Sequence, residues 1–108
     1  MIHELRIYHC LPGRLPKLLE RFEKNTLRIW GRMGIRQAGF WTVAIGPSNH
    51  ALYYLLEWQD LAERTRLWDA FRADPEWQRV VAESEKEGPL LSNVENMILQ
   101  PTAFSSVR

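Results

Sequence analysis

What this chain has little of narrows it first. A lone cysteine, Cys10, excludes an intrachain disulfide and any zinc site built from several thiolates. That usage suits a reducing compartment. No apolar run approaches the roughly 20 residues of a membrane-spanning helix. The opening MIHELRIY has no basic stretch followed by an apolar one, so a secretory leader is not expected and the cytoplasm is. No block of one charge sign occurs either: 14 basic and 13 acidic residues leave a net +1, which demands no strongly charged partner. Repeats and low-complexity segments are missing. What is present is 108 residues, 45% hydrophobic and 25% charged, the make-up of one globular domain.

Residues 2–10 (IHELRIYHC) alternate, with Leu5 and Ile7 on one side and Glu4, Arg6 and Tyr8 on the other, as in a half-buried strand. Pro16 suits the first turn of a helix. From Leu15 to Met33 the apolar residues share one arc at 100° per residue, and Gly34 is a natural stop. Two strands, 35–45 and 50–58, are joined by GPSN. Residues 60–72 read as a helix capped by Asp60. DPEW opens another, with Asp74 as N-cap and Pro75 in the first turn. A last strand covers 90–100, and 101–108 form a tail after a single domain of residues 1–100. The order β-α-β-β-α-(α)-β predicts an α+β, ferredoxin-like fold: a four-stranded antiparallel sheet with helices on one face.

The stretch GFWTVAIGPSNHALYYLLEW (39–58) holds two tryptophans, two tyrosines and a phenylalanine. Pairing Ile45 with His50 across the turn sets Trp41, Val43, Leu52 and Leu56 on one face. The other face then carries Phe40, Thr42, Tyr53 and Glu57. The first, drier face is expected to meet the helices together with Leu5 and Ile7. The second is expected to continue Arg6 and Tyr8 and to line a cavity, with Trp41 as core rather than pocket wall. Helices cover only one face, and each large apolar side chain left in water forfeits roughly 1.5–3 kcal/mol. A second copy of the chain is the expected cover, hence a homodimer.

ELRIY (4–8), PGRLPKLLERFE (12–23), GFWTVAIGPSN (39–49), DLAER (60–64), DPEW (74–77) and ENMILQPTAF (95–104) together resemble the NIPSNAP family, nearly end to end. The resemblance implies a dimeric α+β barrel, two ferredoxin-like sheets facing each other around a cavity. It also implies a small, largely apolar ligand there, with cofactor-independent monooxygenase or isomerase-type chemistry as candidate activities. A non-catalytic dimeric adaptor with a packed interior is the alternative. No cofactor is required; haem, found in relatives of that barrel, would need a lone axial histidine.

The ligand-binding candidates are Arg6, Tyr8, Phe40, Tyr53 and Glu57. An Arg6–Glu57 pair would hold a carboxylate or enolate, or else be a structural ion pair at the dimer seam. Tyr8 and Tyr53 would hydrogen-bond, and Phe40 would shape the pocket. His3 and His9 stand roughly 20 Å apart along one strand and cannot share an ion, so no metal site is expected. GPSNH lacks the last glycine of a nucleophile elbow and sits between strands. Arg14, Lys17, Arg21, Lys24, Arg28 and Arg32 form a basic stripe on the first helix. It reads as solvated surface, and nucleic acid is not an expected partner.

Overall fold

The computed structural model describes all 108 residues. Four strands, β1 (Ile2–Cys10), β2 (Arg36–Thr42), β3 (Ala51–Trp58) and β4 (Leu91–Leu99), form one antiparallel sheet in the order β2-β3-β1-β4. That order is the ferredoxin-like one. Helices α1 (Leu15–Arg21), α2 (Leu27–Met33), α3 (Leu61–Ala73) and α4 (Pro75–Ser84) pack on one face. The caps lie where their chemistry predicts: Asp60 accepts from the Glu63 amide at 2.8 Å, and Asp74 accepts from the Trp77 amide at 3.0 Å.

The expected helix over 15–33 forms, but a π turn at Phe22–Thr26 interrupts it. Leu27 donates to the carbonyl of Phe22, five residues back, and the Thr26 hydroxyl donates to the Arg21 carbonyl at 3.3 Å. One extra residue in a turn rotates everything after it by about 100°, so residues before and after no longer share an arc. The basic stripe therefore does not exist as one surface. Arg21 turns inward and is buried, while Arg28 pairs with Glu76 at 2.6 Å and Arg32 with Asp74 at 3.0 Å on α4.

The hairpin register differs from the expected one. Phe40 pairs with Tyr54, Trp41 with Tyr53 and Thr42 with Leu52, one residue away from the anticipated match. A bulge between Gln37 and Gly39 adds a further shift. The connection is also longer, since β2 ends at Thr42 and β3 begins at Ala51. Because side chains alternate, a one-residue slip exchanges the faces of β2, while Leu52 and Leu56 of β3 stay under the helices as expected. Tyr54, Leu52, Leu56 and Phe40 lie under the helices, and Trp41, expected in the core, is 51% exposed on the open face.

The core is aromatic. Phe22, just past α1, packs its ring against Trp30, Phe40 and Tyr54 at 5.2–5.7 Å, and Phe40 stacks on Tyr54 at 4.9 Å. Such pairs add about 0.5–1.5 kcal/mol each beyond their burial. The stack pins β2 in its register from one side. From the other, the Trp41 ring lies on Gly39, where a Cβ would meet it at 2.6 Å and φ is +137°. Gly39→Ala is therefore expected to lower stability by roughly 1–3 kcal/mol in urea denaturation. Gly31→Ala, in α2 with nothing within 4 Å, should raise it by up to about 1 kcal/mol. Equal midpoints for the two variants would mean that Trp41 does not lean on Gly39.

Candidate functional site

The even-numbered residues of β1 point toward the helices. Glu4 is fully buried and Arg6 is 9% exposed. Two charges under a helical layer are tolerable only if every lone pair and proton is used. Glu4 Oε1 accepts from Trp58 Nε1 at 3.1 Å and Arg64 Nε at 3.0 Å. Its Oε2 accepts from Arg6 Nη1 at 2.9 Å, Arg64 Nη2 at 3.1 Å and Asn96 Nδ2 at 2.9 Å. Burial by itself would raise the Glu4 pKa, but Arg64, Asn96 and Arg6 together outweigh it and hold the carboxyl at about 2. One side chain thus ties β1 to β3, β4 and α3.

Arg6 carries the network outward. Its Nε donates to the Tyr54 hydroxyl at 3.0 Å, and its guanidinium lies 4.5 Å above the Trp68 ring and 5.6 Å from that of Tyr8. Burial disfavours its charge, but the Tyr54 and Tyr8 oxygens and Glu4 more than compensate, so its pKa is raised. Burial, and then Tyr8, push the Tyr54 phenol well above the usual tyrosine range against the pull of Arg6; it is a neutral phenol at pH 7.

Beyond Arg6 a cleft of about 300 Å³ opens between the sheet and α3 and α4. Arg6, Tyr8 and Arg21 form its polar side, and Trp68, Phe71 and Trp77 its aromatic wall. Arg72 and Glu85 also line it. Arg21 stands over the Trp77 ring at 5.2 Å and donates from Nη1 to the Ser84 hydroxyl at 3.2 Å.

The opposite face of the sheet is apolar at its centre, with the His3–Glu57 and His9–Glu95 pairs beside it. Leu5, Tyr53, Leu55, Trp41 and Leu99, with the loop after β2, border a shallow concavity of about 730 Å³. Trp41, Met97 and Leu99 are 39–51% exposed there.

The NIPSNAP family model matches residues 3–106. The chain belongs to the NIPSNAP family. A NIPSNAP-like domain protein from Burkholderia xenovorans, itself uncharacterised, is 34% identical, covers 96% of this chain and 87% of its own, and superposes with a TM-score of 0.85. Human protein NipSnap homolog 3A is 28% identical over 78 residues; that match takes in 72% of this chain but only 31% of the human protein's length. Two more distant structures share the fold alone. One is an antibiotic-biosynthesis-monooxygenase-like protein from Chloroflexus aurantiacus, 13% identical with a TM-score of 0.59. The other is MhuD with two manganese protoporphyrin IX molecules bound per active site, 8% identical with a TM-score of 0.65.

The structure divides the five candidate residues of this NIPSNAP chain between two faces. Arg6, Tyr8 and Phe40 lie under the helices, whereas Tyr53 and Glu57 lie on the open face. The anticipated Arg6–Glu57 pair does not form: Arg6 pairs with Glu4, and Glu57 faces His3 at 3.7 Å. Phe40 is committed to the aromatic stack rather than to a pocket wall. Leu5 and Ile7, expected beneath the helices, face outward with Tyr53 and Leu55. The cleft does not fit a haem. It is only about 300 Å³, no histidine lines it, and His3 and His9 pair with Glu57 and Glu95 on the other face. No helix is long and apolar enough to cross a membrane.

Of the cleft residues, sequence reasoning named Arg6 and Tyr8 and missed Arg21 and the aromatic wall of Trp68, Phe71 and Trp77. A signal for Arg21 was there: it follows Leu18 by three positions, on the flank of the apolar arc, where a long side chain reaches the edge of the core.

Proposed function

We propose that this chain is a homodimeric NIPSNAP protein that binds a small molecule in the cleft between sheet and helices of each protomer. The observation that carries the reading is the cleft itself, in which two guanidinium groups and a phenol converge on a wall of three aromatic rings. Apolar walls with a few convergent polar groups are the usual make-up of a ligand site. This moves the ligand from the expected space between two sheets to the helix side, where Arg6 and Tyr8 are. The open face, with Leu5, Leu55, Trp41 and Met97, is the natural seat for a second copy, since a packed interface would recover the apolar area now left in water.

The side chains favour holding and polarising an oxygen-bearing ligand over abstracting a proton. Glu4 has no lone pair to spare, and its low pKa makes it a poor base. Isomerisation by a carboxylate base lacks its base here; cofactor-independent oxygen chemistry, which also begins with loss of a substrate proton, would suit only a substrate acidic enough to ionise beside Arg6 and Arg21. Cys10, buried and unpaired, suits the reducing cytoplasm. Native mass spectrometry under gentle and denaturing conditions tests the proposal. The expected result is a dimer carrying a small extra mass that is lost on denaturation. A bare dimer would favour a packed interaction module, and a monomer would remove the role given to the open face.

A further inference from the structure

Arg21 is only 6% exposed, yet it forms no ion pair, and its Nε has no hydrogen-bond partner. Most other arginines near the core or against α4 have a carboxylate: Glu4 for Arg6 and Arg64, Glu76 for Arg28, Asp74 for Arg32. A buried guanidinium left unmatched is costly, and burial lowers its pKa, eased only at a distance by Glu85. Glu85 does not close on it; its Oε1 accepts from the Leu90 amide at 3.4 Å. Glu4 is shared between Arg6 and Arg64, so Arg6, Arg21 and Arg72 face only Glu85 within the cleft, an excess of positive charge. Beside that charge stand Trp68, Phe71 and Trp77, with ring centroids 5.2 and 4.5 Å apart in succession.

We infer that the cleft receives a small organic carboxylic acid, its carboxylate on Arg21 and its apolar body along the Trp68–Phe71–Trp77 wall. The inference rests on the reading of this cleft as the ligand site and adds the chemical class of the ligand. A carboxylate matches the planar fork of a guanidinium. It also supplies the counter-charge that Arg21 lacks. At about 300 Å³ the cleft is at the lower end of the about 300–1,000 Å³ span of ligand pockets, which favours a single-ring or short branched acid over a long acyl chain.

Phenylacetate, phenylacetamide and phenyl phosphate would be titrated into the full chain by calorimetry, with tryptophan fluorescence as a second readout. Wild type, Arg21→Met and Arg21→Lys would be compared. The expected result is that phenylacetate binds wild type at least about tenfold more tightly than phenylacetamide. Arg21→Met should erase that preference and leave phenylacetamide binding unchanged. It should also melt no lower than wild type, because it removes an unmatched buried charge. Arg21→Lys, which keeps the charge without the fork, should restore part of the preference. Equal binding of phenylacetate and phenylacetamide to wild type would overturn the carboxylate inference and leave the cleft as a ligand site. Tighter phenyl phosphate binding would overturn it in favour of a phosphate ligand. Binding of none of the three would remove the cleft reading itself, and the inference with it. An Arg21→Met variant that melts well below wild type and binds the acid unchanged would make Arg21 structural.

Discussion

Glu4→Gln is expected to lower stability at neutral pH by about 3 kcal/mol, the largest loss anticipated for any single substitution here. The change is nearly isosteric, so its effect is electrical. Arg6 and Arg64 lose their counter-charge, and the new amide group turns a donor toward donors. At 4–8 °C per kcal/mol for a domain of about this size, the melting point should fall by roughly 12–24 °C. The pH dependence gives an independent check. The folded-state pKa of Glu4 lies at about 2, below its ordinary value of 4.5. A depressed carboxyl pKa adds stability above the unfolded value, and that stability is lost as pH falls through the folded one. About 2.5 pK units correspond to roughly 3 kcal/mol, present above about pH 5 and gone near pH 2. Wild type and Glu4→Gln should therefore converge in urea titrations as pH is lowered across that window. A gap that stays constant down to pH 2.5 would show that Glu4 stabilises by shape rather than charge.

Leu55→Asp should convert the proposed dimer to a monomer without unfolding it. Leu55 sits on β3 opposite Leu5 of β1, at the middle of the open face and away from the helical layer. A carboxylate there would be buried unpaired if two such faces met, a cost of several kcal/mol per copy. The dimer dissociation constant should rise by more than about a hundredfold, read by light scattering on a sizing column. The far-ultraviolet circular dichroism should be unchanged, since the aromatic core lies on the other side of the sheet. A Leu55→Asp protein that still elutes as a dimer would place the interface on the helical surface instead. Ligand binding in the helix-side cleft should survive in the monomer. That separates this arrangement from a barrel cavity built between two sheets, which would vanish with the dimer.

Local chemistry determined much of this protein. Alternation, capping by Asp60 and Asp74, the glycine stop at Gly34 and the order of elements depend on neighbours in the chain, and each is found where those neighbours put it. Alternation also shows that Arg6 shares a face with Glu4 and Tyr8, because residues two apart in a strand must. It does not say which layer covers that face. The partners that make Glu4 and Arg6 acceptable under the helices are Tyr54, Trp58, Arg64 and Asn96, 48 to 92 positions distant. Only the assembled sheet and α3 bring them within reach. The same holds for the hairpin. The residues suggest a four-residue turn, GPSN, but Phe40 on Tyr54 and Trp41 over Gly39 select a register one step away, and one step exchanges the faces of β2. Arg21 ends α1 in step with Leu18, as a helical projection allows; what that projection does not contain is the π turn after it, which takes Arg28 and Arg32 off the line of Arg21. The sequence by itself thus determined the elements and their order. Tertiary packing decided which side of the sheet is inside, because a period of two is indifferent to side until something distant covers one face.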